Sequence, residues 1–311
     1  METVMLYNIC KYFRCPQAEI RHFRPLPGGL VNESYIFELH GNEFVYRHPG
    51  KGSEQLIVRE NEKQSLLAAR EYGFDPTFLY MDENEGWKIS RYVRDFSEPD
   101  YKSEEDSAKV AKVLRRLHKV SYRPAYGIRP WEDALELEAM LKQERMLKYE
   151  EMRDQITLSE KVIRRENSTQ YETLKANVRK LCQSVSGDGI EKCFCHGDSY
   201  KPNWMLLPDG EVILIDWEYA GFADPGIDVG YYIADAGYDL EEAKKFIREY
   251  LGADYSEQKE YHFLAYTAII AWYWYVWALY REASGTISSA VIREPLVNWR
   301  DAAERFTGYL V

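Results

Sequence analysis

The hydrophobic pattern of the first third of the chain is that of a β-sheet protein. Alternating apolar and polar positions predict strands over residues 20–50, with a tight turn at His40-Gly41-Asn42. Apolar residues at helical spacing then predict a helix over residues 54–72 that ends at Gly73. The run FLYMDENEGWKISRYV is typical of a hairpin followed by a connecting segment. The first 95 residues are therefore predicted to be β-rich, with one helix.

The pattern beyond residue 95 is mainly helical. Ser103 precedes three acidic residues and predicts the cap of a helix that runs to about His118. Residues 131–183 are charged and amphipathic, with a break expected around residues 154–159. What this segment packs against stays open.

One hairpin interrupts the helical part. It falls within residues 193–218 and turns at Pro208-Asp209-Gly210, a favourable turn sequence. The predicted fold is therefore α+β and bilobal, with a β-rich lobe at residues 1–95 and a mainly helical lobe at residues 96–311, as in the protein-kinase-like fold.

Composition narrows the class of protein. The 311 residues exceed what one core usually needs, and 45% hydrophobic with 29% charged residues indicates a globular chain. A net charge of -11 without a basic run argues against a nucleic-acid partner. Five irregularly spaced cysteines favour a reducing compartment, and the N-terminus lacks a signal-peptide pattern, so a cytoplasmic location is expected.

Residues 263–280 carry no charge and approach the length of a membrane span. Their centre, however, is rich in tryptophan and tyrosine, which in a bilayer prefer the two interfaces. We therefore expect a buried helix that lines an aromatic pocket, without membrane insertion.

Cys193 and Cys195 flank Phe194 close to His196, which raises the possibility of a metal site. No second pair of cysteines or histidines lies nearby along the chain. Alternation of small residues on a strand explains the spacing, and we expect no metal there.

The segment CHGDSYKPNWMLLPDGEVILIDWEYAG carries the chemistry. Phosphoryl transfer from ATP needs a carboxylate to orient the attacking hydroxyl and oxygen ligands for Mg²⁺. Asp198 supplies the first carboxylate, and Asn203 follows it at a fixed spacing. The Pro208–Gly210 turn is expected to fold the next strand back so that Asp216 lies near Asn203. Glu218, on the same face of that strand, is expected to hold a second ion.

The same segment, continued by FADPGIDVG, resembles the aminoglycoside phosphotransferase and choline/ethanolamine kinase superfamily, and most of all the bacterial choline kinases. The resemblance covers most of the chain and is weakest over residues 125–190. It implies a protein-kinase-like fold, Mg·ATP as the donor and Asp198 as the base. His196 is expected to fix the loop by hydrogen bonds and Asp228 to brace it.

The N-terminal lobe is expected to bind the nucleotide. A glycine-containing loop lies between two strands, where it suits either phosphate binding or a plain β-turn. The resemblance places the phosphate-binding cation at Arg47, with Glu62 as its ion-pair partner and Glu60 as the alternative. The connector between lobes is expected to bond adenine through its backbone. The full set of expected nucleotide-binding residues is Gly28, Gly29, Asn32, Ser34, Arg47, Glu62, Tyr92 and Val93.

The acceptor pocket is expected in the helical lobe. Trp274 and Trp277 share a helix face and suit a quaternary ammonium through cation–π contacts, although aromatic stripes at this spacing are usually core. The resemblance adds Asp235 as the acidic contact of the cationic head group, and Trp299 is a further candidate wall. Whether Lys201 contacts phosphate stays open.

Three functions remain open from the sequence. The first is choline phosphorylation with ATP and Mg²⁺. The second is the same chemistry on ethanolamine, an aminoglycoside or another small alcohol. The third is a non-catalytic nucleotide-binding module, against which the intact set of Asp198, Asn203 and Asp216 argues.

Overall fold

The computed structural model describes residues 2–29, 31–152 and 158–311. The strands are β1 (Arg21–Leu26), β2 (Glu33–Leu39), β3 (Asn42–His48), β4 (Phe78–Met81), β5 (Lys88–Arg91), β6 (Cys193–Cys195), β7 (Trp204–Leu206), β8 (Val212–Leu214) and β9 (Gly221–Ala223). The helices are α1 (Glu2–Phe13), α2 (Arg59–Glu71), α3 (Glu104–Leu117), α4 (Pro130–Met152), α5 (Leu158–Val185), α6 (Gly226–Asp235), α7 (Leu240–Leu251), α8 (Glu257–Ser284) and α9 (Ser289–Leu310).

The chain divides into two compact units. Unit 1 comprises residues 1–98 and 202–219, and unit 2 comprises residues 99–201 and 220–311. The hairpin of β7 and β8 thus groups with the β-rich part of the chain, which the expected lobes of residues 1–95 and 96–311 did not anticipate. Both classes of element agree with the predicted α+β fold.

Antiparallel strands build the sheet of unit 1. Their spatial order is β1-β2-β3-β5-β4 among the described residues. Arg47 on β3 lies opposite Ser34 on β2 and opposite Lys88 on β5. Because directly opposed residues of an antiparallel pair share one face, these three side chains project to the same side of the sheet.

Helices cover the sheet at two places. Met5 and Ile9 of α1 pack against Phe37 and Tyr46, so the first residues form a helix that the sequence analysis did not predict. Helix α2 begins at Arg59 rather than near residue 54, because Ser53–Gln55 form a 3-10 turn before it.

The β7–β8 hairpin forms as predicted and is held to the rest of unit 1. Leu206 pairs with Val212, and the Gly210 amide closes the turn by donating to the Leu207 carbonyl at 3.0 Å. The Leu214 amide donates to the Phe74 carbonyl at 3.0 Å, which anchors β8.

Helices α8, α9 and α6 form the centre of unit 2. Gly230 allows α6 to cross α8 closely, since a Cβ at that position would lie 2.8 Å from the Thr267 backbone nitrogen. Helix α8 is long and apolar enough to cross a membrane, but 83% of its apolar window is buried within the protein, as in the core helix of a soluble protein. The expected buried aromatic helix is confirmed.

Two helix predictions have different outcomes. Helix α3 begins and ends where predicted, with the Ser103 hydroxyl accepting from the Asp106 amide. The break expected around residues 154–159 falls mostly on residues 153–157, which lie outside the described part of the chain.

Candidate active site

The end of the β7–β8 hairpin brings two candidate metal ligands together in unit 1. The Ile215 amide donates to the Asn203 carbonyl at 2.9 Å, so Asp216 follows directly beside Asn203. Asp216 has a φ of 71°, which is rare for a residue with a side chain and typical of constrained functional positions. Trp217–Tyr219 form a 3-10 turn, so the expectation that Glu218 continues a strand is wrong.

Asp216 is held by a guanidinium. Both terminal nitrogens of Arg47 reach it, with Nη1–Oδ1 and Nη2–Oδ2 distances of 2.5 Å each. The Nη2–Oδ2 contact is a charge-assisted hydrogen bond, and Nη1–Oδ1 is a close ion-pair contact beside it. The expected partner of Arg47, Glu62, is instead bonded to Lys88, with an Nζ–Oε1 distance of 2.5 Å.

Lys88 therefore completes a charge cluster of Arg47, Glu62, Lys88, Asp216 and Glu218. Its ammonium also lies 3.7 Å from Asp216. Burial alone would lower the pKa of Lys88, but the charges of Glu62, Asp216 and Glu218 together outweigh burial and the net pKa is raised. Both basic side chains of the cluster are thus charged.

The pKa of Glu218 indicates that the cluster holds more negative than positive charge. Burial and then the charge on Asp216 raise the pKa of Glu218 to about 7, against the opposing effect of Arg47. Three carboxylates face two cations, so one further cation would be favourable. The oxygen donors of Asn203, Asp216 and Glu218 are of the type that Mg²⁺ prefers, and this donor set fits the ion.

The loop between β1 and β2 closes over this cluster. Gly28 and Gly29 have φ values of 123° and 84°, which glycine adopts without strain. The Asn32 amide donates to Glu218 at 2.8 Å and accepts from the Gly50 amide at 3.1 Å. Asn32 thus joins the loop to Glu218 and Gly50, which belong to the same unit.

The connector after β5 offers its backbone only in part. The Tyr92 amide donates to the Glu43 carbonyl at 3.0 Å, so this N–H is engaged within unit 1. Tyr92 and Val93 are both half-buried.

In unit 2, Asp228 braces the loop that carries Asp198. Its carboxylate accepts from the amides of His196 and Gly197, at 2.8 Å and 2.7 Å, and pairs with the His118 Nε2 at 2.9 Å. Burial would raise the pKa of Asp228, but the hydrogen bond and charge of His118, with His196 and the Gly197 amide, together outweigh burial and the net pKa is lowered. His196 is fully buried, and its Nδ1 accepts from the Asp198 amide at 3.3 Å.

Tyr231 joins the loop to the aromatic helices. Burial, followed by the charge of Asp198 and a hydrogen bond to it, raises the pKa of Tyr231 far above its ordinary value. The ring of Tyr231 packs edge-on against Trp299 and Trp274, with centroid distances of 4.7 Å and 5.4 Å. The candidate base and the aromatic cluster therefore share one residue.

Comparison with known proteins identifies the family. The model of the phosphotransferase enzyme family matches residues 22–261. The chain belongs to this family.

Individual members of the phosphotransferase family are distant in sequence. Protein LicA of Haemophilus influenzae is 24% identical over 246 residues, which cover 76% of this chain and 63% of that protein. A probable choline kinase 3 of Arabidopsis thaliana is 23% identical over 265 residues, covering 76% of this chain and 70% of that protein. The crystal structure of the choline kinase LicA from Streptococcus pneumoniae has a TM-score of 0.75 at 22% identity and covers 98% of this chain and 99% of that one, which shows the common fold.

Other expected acceptor residues also have partners in the protein. Asp235, the last residue of α6, accepts from the Tyr101 hydroxyl and, at 3.0 Å, from the Lys201 amide. The Lys201 ammonium lies over the Tyr101 ring, 5.2 Å from its centroid. Trp277 packs 5.1 Å from Trp274, and the guanidinium of Arg281 covers its ring at 5.2 Å.

Sequence reasoning missed Lys88, Tyr101 and Tyr231. The sequence offered one signal for Lys88: it lies between Trp87 and Ile89 in the predicted hairpin, so it faces away from these two apolar side chains. Its position opposite Arg47 became known only from the pairing of β3 with β5. Tyr231 directly follows Gly230, but nothing in its spacing along the chain connects it to Asp198. Its contact with Asp198 became apparent only from the packing of α6 on α8.

Proposed function

We propose that this phosphotransferase moves the γ-phosphate of ATP onto the hydroxyl of choline to give phosphocholine. The observation that carries the proposal is Tyr231, which bonds Asp198 and at the same time packs against Trp274 and Trp299. A hydroxyl held at the base would thus have its cationic end directed to an aromatic cluster.

Unit 1 supplies the donor side in this proposal. Asn203, Asp216 and Glu218 would hold Mg²⁺, which neutralises phosphate charge when it is bound. Arg47 would grip phosphate oxygens as it now grips Asp216, because both ligands offer paired oxygens to a planar guanidinium. Lys88 holds Glu62 in place by an ion pair. Gly28, Gly29 and Ser34 line the approach of the phosphates, and the connector at Tyr92–Val93 would receive the adenine.

Asp198 would act on the acceptor hydroxyl. The oxygen–phosphorus bond to choline forms as the bond between the γ-phosphorus and ADP breaks, and Asp198 takes the hydroxyl proton. Asp228 holds the loop backbone through His196 and Gly197, so Asp198 is positioned before substrate arrives.

The acceptor end would meet aromatic rings and an acid. Trp274 and Trp299 offer faces to a trimethylammonium, and Asp235 adds counter-charge within the same unit. Trp277 would support Trp274 by packing against it and would not contact the ligand directly, since Arg281 covers one face of the Trp277 ring. A quaternary ammonium donates no hydrogen bonds, so rings suit it better than they suit a primary ammonium.

The named relatives support choline over the alternatives. One of the relatives named above is a probable choline kinase, and the similar crystal structure is that of a choline kinase. Ethanolamine would want acceptors in place of some rings, and an aminoglycoside would want several convergent carboxylates. These acceptors are the second candidates, and a cytoplasmic location stays a prediction.

The test is ADP release with Mg·ATP in the presence of choline, ethanolamine, an aminoglycoside or no acceptor. We expect choline to support turnover and Asp198→Asn to reduce it by roughly 100-fold or more, as loss of a base does. Asp209→Asn, the same change in the exposed hairpin turn, should leave the rate unchanged. Preference for another acceptor would refute choline, and unchanged turnover in Asp198→Asn would refute the base.

A further inference from the structure

Strand β6 carries two thiols on one face. Cys193 and Cys195 are two residues apart, so their side chains leave the strand on the same side, with a sulfur–sulfur distance of 3.6 Å. Both cysteines are buried, with exposures of 6% and 1%. The side chain of His118, the C-cap of α3, is 5% exposed. The two sulfurs and a ring nitrogen of His118 all lie within 4.8 Å of one another.

The sequence alone led us to expect no metal at these cysteines, but the fold brings His118 to them. We propose that Cys193, Cys195 and His118 bind a thiophilic divalent ion, Zn²⁺ or Cd²⁺. Two metal–sulfur bonds of about 2.3 Å at a tetrahedral angle would place the sulfurs about 3.8 Å apart. The observed spacing needs only a small adjustment to reach that value.

The burial of the two sulfurs favours a divalent ion over a monovalent one. A dication cancels the charge of two thiolates, whereas a monovalent ion would leave a net negative charge beside the buried Asp228. The ligand set of two sulfurs and one imidazole is also one that zinc accepts.

His118 is oriented for this role. Its Nε2 bonds Asp228 at 2.9 Å, and its Nδ1 bonds the Tyr250 hydroxyl at 2.8 Å. Nε2 is committed to the buried carboxylate that also holds the loop backbone at His196 and Gly197. Nδ1 is therefore assigned to the metal.

Metal on Nδ1 would keep the bond from Nε2–H to Asp228. A histidine that binds metal with one nitrogen and donates to a carboxylate with the other is the usual arrangement in proteins. The Tyr250 hydroxyl would give up its bond to Nδ1 and lie next to the ion, where its oxygen could serve as the fourth ligand. Asp228 would then accept hydrogen bonds both from the metal-bound His118 and from the loop that carries Asp198.

A disulfide is the less favourable use of these thiols. Residues two apart on a strand have Cα atoms about 6.7 Å apart, close to the upper limit for a disulfide. The pairing of β6 with β9 holds the strand extended, because Cys193 lies opposite Ala223 and Cys195 opposite Gly221.

The experiment is a Cd²⁺ titration of reduced full-length protein, followed by the ultraviolet absorption of cadmium–thiolate charge transfer. Excess Mg²⁺ is present so that Cd²⁺ does not bind at the oxygen ligands of unit 1. The background protein carries Cys10→Ser, Cys15→Ser and Cys182→Ser, which remove the other free thiols. We expect saturation at one equivalent and a loss of affinity of at least about tenfold in Cys193→Ser, Cys195→Ser and His118→Asn. X-ray absorption of the Zn²⁺ form should show two sulfur ligands.

The matched control is His262→Asn. His262 is another buried histidine of unit 2, held by Asp188 and Asp224, and its replacement should leave Cd²⁺ affinity unchanged. Absence of the charge-transfer band, or a band unaffected by Cys193→Ser, would overturn the site. If a variant fails to fold, Zn²⁺ protection of Cys193 and Cys195 from alkylation in the background protein decides: protection supports the site and equal labelling refutes it.

Discussion

At the residue scale, the buried pair of Lys88 and Glu62 holds the charge cluster of unit 1. The side chains are 9% and 3% exposed, so removing one leaves the other buried and unpaired. We expect Lys88→Met to lower the free energy of unfolding by about 3 kcal/mol and the double variant Lys88→Met/Glu62→Leu to recover most of it. Urea unfolding of the full double-mutant cycle measures this coupling.

The control pair is Lys63 and Glu83 of the same unit. It has a similar distance, 2.7 Å, but its side chains are 29% and 44% exposed. Lys63→Met should cost less than about 1 kcal/mol because water screens the pair. Equal costs at both lysines would contradict the argument that burial makes the Lys88 pair decisive.

Asp75 gives unit 1 a pH dependence. Burial raises its pKa from 3.8 to about 6, against the bonds it accepts from Thr77. A raised carboxyl pKa means that the folded state binds the proton more tightly, so this stabilisation is full below pH ~4 and lost as pH rises through ~6. Relative to Asp75→Asn, the wild type should lose roughly 3 kcal/mol of unfolding free energy over that range. Urea unfolding across pH measures it, and a constant difference between the two proteins would refute it.

The ion pairs show where residue-level prediction ended. The sequence indicated that Arg47 and Glu62 are functional candidates, and burial agrees that Glu62 rather than Glu60 faces inward. The pairing itself was wrong, because it depends on the register that sets Lys88 opposite Arg47. Register follows from turn geometry and packing across the sheet, which a single strand's pattern does not encode.

At the scale of elements, the crossing of α6 and α8 positions Tyr231. A Cβ at Gly230 would lie 2.8 Å and 2.9 Å from the Thr267 nitrogen and Cα, and backbone cannot yield as a side chain can. We expect Gly230→Ala to lower the unfolding free energy by about 2 kcal/mol or more and to slow turnover, because Tyr231 shifts with the helix. Thermal unfolding and steady-state rates check both effects.

Gly308 of α9 provides the comparison. It is also a glycine in a helix, but no atom lies within 4 Å of the position of an added Cβ. Gly308→Ala should raise stability by up to about 1 kcal/mol, because alanine is the better helix former. A similar loss in both variants would show that helix propensity, and not the crossing, controls Gly230.

Elements with local signals were predictable. Ser103 and its acidic neighbours located α3, and Pro208–Gly210 located the hairpin, since caps and turns are encoded within a few residues. Helix α1 was missed because its inward residues, Met5 and Ile9, are few and acquire meaning only against the sheet. Its helicity comes from tertiary packing rather than from its own pattern.

At the scale of the whole molecule, the candidate functions are divided between the units. The candidate ligands of nucleotide and Mg²⁺ belong to unit 1, and Asp198 with the aromatic cluster belongs to unit 2. The sequence located both sets because each contains short motifs. It did not place the hairpin in unit 1, because that assignment depends on contacts such as the one from Leu214 to Phe74.

This division makes the kinetic effects of substitutions separable. Arg47→Lys keeps the charge but loses the planar guanidinium with its paired nitrogens, so we expect the KM for ATP to rise about tenfold while the KM for choline changes little. Trp274→Leu removes a ring next to Tyr231, so the KM for choline should rise roughly 3- to 30-fold while that for ATP is retained. Initial rates with each substrate varied at saturation of the other give all four values, and circular dichroism verifies that both variants fold. Equal increases in both constants for either variant would contradict the division, because a residue of one unit would then control binding of both substrates.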